Sequence, residues 1–370
     1  TGTGILTALA PSFSFFIGNR LLGGIAIGLA SNLSPMYIAE ISPAPMRGKF
    51  VSVNQLTIVI GILAAQLVNW LIAKPVPAGA TAADILASWN GQTGWRWMFG
   101  AEAVPAFLFF LLMFLIPESP RWLVKNGREA EAKKILARVG GTGFAGQALR
   151  EIRDTLTAGK IGKVRFRSLF GPGLAKVLVV GVVLAIYQQW CGINVIFYYA
   201  QEIFTAAGYG VSGVLFNIVI TGTVNLIFTL IAIRLVDRLG RKPLMMAGSA
   251  GLAVVFGLIG ASYAVHSRGV HLLALVVVAM ALYALSLAPV TWVLLSEIFP
   301  NRIRGAAMSV STVSLWSACF VLTYTFPLLN KGLGPAGTFW IYAGISVFGF
   351  IFSRSRVRET KGKTLEEIER

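Results

Sequence analysis

The sequence predicts an all-α protein that crosses a membrane many times and consists of two related halves. Three observations support this prediction: the composition, a duplicated motif and the alternation of basic with non-basic loops. Of the 370 residues, 56% are hydrophobic and 13% are charged, and the mean hydropathy is +0.73. A soluble domain of this length would not contain so many long apolar segments.

Apolar segments of about 20 residues, enough for a helix to span a bilayer, recur along the whole chain. Eight long segments and a shorter last one predict transmembrane helices near residues 12–39, 50–73, 97–116, 175–199, 213–233, 243–264, 271–296, 305–327 and 338–353. Residues 1–10 make only half a span before Pro11, and they carry no basic region or cleavage site of a signal peptide.

The positive charge is concentrated in every second loop. All but five of the 32 lysines and arginines lie in residues 40–49, 117–176, 234–242, 297–304 and 354–370. The positive-inside rule predicts that these loops are cytoplasmic. We expect the protein to lie in the cell (inner) membrane. The net charge of +17 therefore reflects membrane topology, and we expect no nucleic-acid partner.

Two nine-residue segments share the pattern E-I-x-P-x-x-x-R-G: one runs from Glu40 to Gly48 and the other from Glu297 to Gly305. Each segment joins two apolar segments. Such a repeat in a membrane protein predicts a carrier with two related halves around a central site. Partners of the landmarks of the second half would fall before residue 1, so we expect the first two helices to be absent from this sequence.

Polar side chains inside the apolar segments are candidates for a solute site, because burying them without partners is costly. The uncharged amides at such depth are Gln55, Gln188, Gln189, Asn194 and Asn225. An amide both donates and accepts hydrogen bonds, which suits a ligand rich in hydroxyl groups. Trp292 and Trp316 would support the apolar face of a sugar. The alternative is that these amides only hold helices together.

The segment around Gly192 favours the solute site. Gln188 and Asn194 would lie about 120° apart on a regular helix. A break at Gly192 would turn both inward, and broken helices at mid-membrane often form binding sites. Tyr198 would then lie one turn beyond Asn194, on the same face.

Charged residues at the predicted helix ends form a candidate cytoplasmic gate, in which acids and bases pair when that face is closed and separate when it opens. The gate candidates that follow from the residues alone are Glu40, Arg47, Asp237, Arg238, Arg241, Glu297 and Arg304. The alternative is that these charges only fix the topology.

Arg20 lies inside an apolar segment and needs a partner or a water-filled cavity. Glu102 is the carboxylate within a span, and a structural and a proton-coupling role are both open.

The sequence offers nothing for catalysis. Both histidines, His266 and His271, fall in one predicted external loop, and the Gly362-Lys-Thr sequence lacks the leading glycine of a phosphate loop. We therefore expect no catalytic residue, no metal and no cofactor. The protein would not be an enzyme, and transport would be secondary or passive.

Four motifs together resemble the sugar porter family of the major facilitator superfamily. They are Pro117-Glu-Ser-Pro-Arg-Trp122, Asp237-Arg-Leu-Gly-Arg-Lys242, the pair Gln188-Gln189 with Asn194, and Glu359-Thr-Lys-Gly-Lys-Thr-Leu-Glu-Glu367. The resemblance covers the whole chain. It implies a major facilitator-type bundle, a gate that includes Glu118 and Arg121, and sugar contacts at Gln55, Gln188, Gln189, Asn194, Tyr198, Asn225, Trp292 and Trp316. Position 315 is Leu, where the family often has an amide.

In such a bundle the chain would hold about nine complete helices and a partial one. We expect the remainder of the first half (end of helix 3 to helix 6) at 1–116, a cytoplasmic helical linker at 117–174, the second half (helices 7–12) at 175–353 and a cytoplasmic tail at 354–370. Gly140, Gly141 and Gly159 would divide the linker into about two short helices.

The resemblance also implies a function. We expect a secondary transporter that carries a pentose, a hexose or a related polyol by alternating access and proton-coupled symport. In proton-coupled members the residue that matches Arg20 faces a carboxylate on the first helix. The alternatives are a passive sugar facilitator and a transporter-like sugar sensor. Its partners would be the sugar, protons and the lipid bilayer, and we expect a monomer.

Overall fold

The computed structural model describes residues 1–43, 46–76, 80–158, 171, 174–199, 203, 211–267, 269–300 and 303–361. The side chain of Arg47 and residues 362–370 of the predicted tail lie outside the described residues. All regular elements in the described part are helices, which confirms the predicted all-α class.

In the described residues, the first half and the linker contain eight α-helices. They are α1 (Gly2–Ala8), α2 (Phe13–Ile41), α3 (Arg47–Ile72), α4 (Ala82–Ala87), α5 (Trp95–Ala101), α6 (Ala103–Met113), α7 (Pro120–Lys125) and α8 (Glu129–Ala158). A short π-helix, Asn90–Gly94, precedes α5. The predicted external loop before α5 therefore contains two short helices.

The second half contains the remaining helices. They are α9 (Leu174–Trp190), α10 (Ile193–Tyr198), α11 (Val211–Leu239), α12 (Arg241–Ala264), α13 (Val270–Leu285), α14 (Leu287–Glu297) and α15 (Arg304–Arg356). In the described part of the chain, eight helical segments are long and apolar enough to cross a membrane. The structure thus agrees with a polytopic membrane protein.

The last element contains both of the last two predicted helices. We predicted helices near residues 305–327 and 338–353, and α15 includes both of them, with a break in its helical geometry between them. Its backbone leaves the helical region only at Gly334, where φ is +69°. Glycine tolerates this left-handed conformation, and Pro335 suits the first turn of the next helix. The two predicted helices are therefore joined by a kink and not by a loop.

The helices of the second half surround one large hydrophobic core, in which α12 and α15 pack along each other and α9 packs along α15. Four pairs of helices connect the halves in the described residues: α3 packs along α11 and against α14, and α2 packs on α14 and α15. The linker has its own small core, which includes Leu123, Leu136 and Ile152. The backbone of α8 bends at Gly141, where φ is +82°, so the predicted division of the linker falls inside this helix.

Loop chemistry defines two faces of the bundle. We call the face with the Lys- and Arg-rich loops the basic face. Helices α3 and α15 begin there, and helices α11 and α14 end there. In the linker at this face, a hydrogen bond from Arg128 holds the pKa of Glu131 below its usual value.

Candidate functional site

A chain of hydrogen-bonded polar side chains lies where α9 ends. Gln188 and Gln189 occupy the last turn of α9, and both are buried. The Nε2 group of Gln188 donates to the hydroxyl of Tyr283 on α13 at 2.8 Å, and Nε2 of Gln189 donates to Oε1 of Gln188 at 2.7 Å. Asn194, at the start of α10, donates to Oε1 of Gln189. The structure therefore brings three of the predicted contact residues together.

The break at Gly192 makes this arrangement possible. As predicted, the helix is interrupted there: α9 ends at Trp190, Gly192 has a φ of +95°, and α10 starts at Ile193. A Cβ atom on Gly192 would lie 2.8 Å from Cβ of Tyr342 and 3.1 Å from the ring of Phe256. The position therefore requires glycine both for its backbone conformation and for its packing.

The other predicted contact residues differ in burial. Gln55, Asn225 and Trp292 are buried, and Oδ1 of Asn225 has no hydrogen-bond partner among the described residues. Trp316 is 37% exposed and Tyr198 is 55% exposed, so these rings lie at the edge of the packed region. The thiol of Cys319 lies 3.8 Å from the hydroxyl of Tyr198.

Sequence analysis missed Tyr283, which accepts the hydrogen bond from Gln188. Its signal was a phenol inside an otherwise apolar segment, where a buried hydroxyl needs a partner. Tyr283 anchors the amide chain to α13, and the remaining amide groups can then bind a ligand that both donates and accepts hydrogen bonds.

A second cluster, of charged side chains, lies at the basic face of the second half. Arg241 donates to both oxygens of Glu297, at 3.1 and 3.3 Å, and lies 3.2 Å from Asp237. Arg241 and Glu297 are both only 3% exposed. Their geometry is bidentate, which strengthens an ion pair that burial would otherwise disfavour.

The start of the tail completes this cluster. Glu359 accepts the backbone N–H groups of Arg241 and Lys242, each at 3.0 Å, at the first turn of α12. A carboxylate at a helix N-terminus satisfies free N–H groups and interacts favourably with the helix dipole. The hydroxyl of Thr360 donates to Glu297 at 2.7 Å. We predicted the tail as a separate segment and missed both contacts, because no local pattern links these residues to α12.

The remaining gate candidates make other contacts in the described part of the chain. The hydroxyl of Ser119 donates to Glu40 at 2.7 Å, and Arg304 donates to the backbone carbonyl of Phe299 at 3.1 Å. Glu118 and Arg238 are exposed, while Arg121 is partly buried. Their role in a gate stays a prediction.

Arg20 and Glu102 form an ion pair of 2.9 Å between α2 and the junction of α5 with α6. The guanidinium group also lies over the ring of Phe99 at 5.3 Å. The side chains are 44% and 47% exposed, so the pair is not enclosed by the described residues. The sequence named both residues separately, and the structure pairs them.

Two helical halves, a broken helix with an amide chain and a closed charged face together define a carrier of the major facilitator type. Comparison with known proteins supports this class. The model of the "Sugar (and other) transporter" family matches residues 3–370, and the chain belongs to this family. The protein is therefore a multi-pass membrane protein of a sugar transporter family and not an enzyme.

Individual relatives agree with the family assignment. The D-xylose-proton symporter of Escherichia coli (strain K12) is 42% identical over 370 residues, which cover 98% of this chain and 72% of the symporter. The glucose facilitated diffusion protein of Zymomonas mobilis is 37% identical over 363 residues, 96% of this chain and 74% of that protein. The structure of the proton:xylose symporter XylE bound to 6-bromo-6-deoxy-D-glucose superposes with a TM-score of 0.87 at 39% identity, covering 99% of this chain and 80% of that one.

Proposed function

We propose that this protein carries a pentose, a hexose or a related polyol by alternating access, coupled to protons. The observation that carries the proposal is the amide chain of Gln188, Gln189 and Asn194 at the broken helix. Its groups are polar and uncharged, so they suit a neutral solute with many hydroxyls. The printed names of the relatives, which include a xylose and a glucose carrier, agree with this solute class.

Alternating access requires a closed face that can open. The buried contacts of Arg241 with Glu297 and Asp237 hold the basic face of the second half together. In the proposed cycle this cluster loosens when the basic face opens, and the two halves rock about the amide site. Gln55, Tyr198, Asn225, Trp292 and Trp316 complete the proposed solute site.

Proton coupling is proposed from the pair of Arg20 and Glu102. Protonation of Glu102 would neutralise the partner of Arg20 and so change the cost of holding the arginine in the membrane. The similarity to a glucose facilitated diffusion protein favours a second candidate, passive facilitation, in which the same ion pair is structural.

Uptake of radiolabelled sugars tests the solute class. The protein, as its gene encodes it, is reconstituted into vesicles and offered xylose, arabinose, glucose and galactose. Saturable uptake that is lost in Gln188→Ala and in Asn194→Ala supports the proposal. Gln147→Ala in the exposed part of the linker is the matched control and should transport normally. Normal uptake by both site variants would refute the amide site.

The two coupling modes differ in their response to the proton gradient. Symport predicts that a protonophore abolishes sugar accumulation. It also predicts that Glu102→Gln uncouples the sugar flux from the proton flux, while exchange of sugar for sugar across the membrane continues. Equal accumulation with and without the protonophore would instead establish facilitation.

The orientation is also a proposal: the basic face is cytoplasmic. Single cysteines at positions 237 and 267 should react with an impermeant thiol reagent from opposite sides of the membrane. Labelling of both from the same side would contradict this topology.

A further inference from the structure

Hydroxyl side chains follow the proposed contact residues toward the basic face. Residues three or four positions apart share one face of a helix and lie about 4.5–6 Å apart along its axis. Ser52 precedes Gln55 by three positions on α3, and Thr229 follows Asn225 by four positions on α11. Because α3 begins and α11 ends at the basic face, both hydroxyls lie one turn closer to that face than the amides.

The same relation holds on two further helices. Ser296 follows Trp292 by four positions on α14, which ends at the basic face. Thr312 precedes Trp316 by four positions on α15, which begins there. We call Ser52, Thr229, Ser296 and Thr312 the hydroxyl collar. Ser52 belongs to the first half and the other three belong to the second, so the collar includes both moving parts.

The collar is buried and largely without hydrogen-bond partners. Ser52, Thr229 and Ser296 are 0% exposed and Thr312 is 4% exposed. Among the described residues, the hydroxyls of Ser52, Thr229 and Thr312 have no hydrogen-bond partner, whereas Ser296 donates to the carbonyl of Val293 within its own helix. Native proteins keep few buried polar groups in this state, because each one has lost its hydrogen bonds to water.

A buried charge cluster lies beyond the collar. Ser296 is followed directly by Glu297, whose carboxylate is buried against Arg241 and Thr360. The collar therefore lies between the amide site and a closed basic face. If that face opened, a solute that leaves the amide site would meet the three hydroxyls that lack a hydrogen-bond partner.

We propose that the hydroxyl collar is a second binding site for the hydroxyl-rich solute, occupied between the amide site and the basic face. This inference rests on the proposed function. The collar contains no charged side chain, and hydroxyls both donate and accept hydrogen bonds. A neutral polyol can therefore provide the partners that Ser52, Thr229 and Thr312 lack in the closed arrangement.

Transport kinetics measured separately from each face test the collar. Thr229→Val and Thr312→Val keep the shape of the side chain and remove the hydroxyl. With vesicles of one orientation, each variant should raise the half-saturation concentration for sugar from the basic face about two- to tenfold, the effect of one lost hydrogen bond. The value from the opposite face should not change.

Ser353→Ala is the matched control. Ser353 is equally buried and its hydroxyl also has no partner among the described residues, but no proposed contact residue lies within one helical turn of it on α15. The control should leave both half-saturation values unchanged. Equal effects from both faces in the two threonine variants, or a matching effect of Ser353→Ala, would overturn the collar as a sugar site.

Thiol accessibility gives a second readout. In a background with Cys191 and Cys319 replaced by Ala, Thr229→Cys should react with a hydrophilic thiol reagent from the basic face, sugar should slow the reaction, and Ser353→Cys should stay unreactive. Absence of uptake by the unaltered protein would contradict the proposed function. Normal uptake together with an unreactive or unprotected Thr229→Cys would contradict the collar alone.

Discussion

The two copies of the repeated motif occupy equivalent places in the chain but very different environments. In the second copy, Glu297 is buried and receives hydrogen bonds from Arg241 and Thr360. In the first copy, Glu40 is only partly buried and accepts a hydrogen bond from Ser119. The same nine-residue pattern therefore forms part of a buried charge cluster in one half and a more open contact with the linker in the other.

The difference shows that the repeated motif determines the position of the carboxylate. It does not determine the hydrogen bonds and ion pairs that stabilise the carboxylate there. Each motif places its glutamate at the end of a helix on the basic face, a helix of 29 residues for Glu40 and of 11 residues for Glu297. The partners of Glu297 come from α12 and from the tail, which lie outside the motif. The strength of each copy as a closing contact therefore depends on neighbours that the repeat does not encode.

The largest test of this comparison is to remove each glutamate. Glu297→Ala leaves Arg241 buried without its main partner, and breaking such a pair costs about 3–5 kcal/mol. Glu40→Ala removes a more exposed acceptor and should cost about 1 kcal/mol. Thermal unfolding in detergent measures both. Equal destabilisation by the two variants would contradict the proposed difference between the copies.

A smaller effect is expected at Gly240, directly before α12. Its φ is +95°, and a Cβ atom there would lie 2.6 Å from Oε2 of Glu359. Gly240→Ala should lower the unfolding free energy by about 2 kcal/mol through backbone strain and displacement of the carboxylate. Gly305→Ala in the second motif is the control, because its Cβ would meet only Met36, at 3.7 Å. If Gly240→Ala and the unaltered protein have the same unfolding free energy, the turn at position 240 does not require glycine.

Removal of the tail carboxylate should have a moderate effect. Glu359→Ala leaves the N–H groups of Arg241 and Lys242 without their acceptor, as in the loss of a helix cap, which costs about 1–2 kcal/mol. Glu359→Gln keeps an acceptor oxygen and should lose less. If unfolding temperatures of Glu359→Ala and the unaltered protein coincide, the tail does not hold the second cluster together.

The smallest effect compares two hydroxyls that each donate to one of the repeated glutamates at 2.7 Å. Thr360→Val removes a donor from a buried carboxylate and should cost about 1–2 kcal/mol. Ser119→Ala removes a donor from the more exposed Glu40 and should cost about 0.5 kcal/mol. Chemical unfolding curves resolve this order. The reverse order would mean that burial does not set the strength of these bonds.

Much of the architecture could be predicted from local patterns. Apolar segments of bilayer length predicted the long helices, because a lipid-exposed backbone must satisfy its hydrogen bonds internally. Gly192 predicted the break that aligns Gln188 with Asn194, because glycine tolerates the left-handed conformation found there. The last two helices were also predicted, because Gly and Pro interrupt the apolar pattern between them, and the structure joins them at a kink at Gly334.

The sequence by itself determined the membrane class and the duplicated motif, and it supplied the residue types of the proposed solute site, since these follow from hydropathy, repetition and the cost of burying polar groups. Only the tertiary structure decided the partners. It joined Gln188 to Tyr283, Arg20 to Glu102, and Glu297 to Arg241 and Thr360. These residues are far apart in the chain, and their contacts depend on how whole helices pack, which no local pattern specifies.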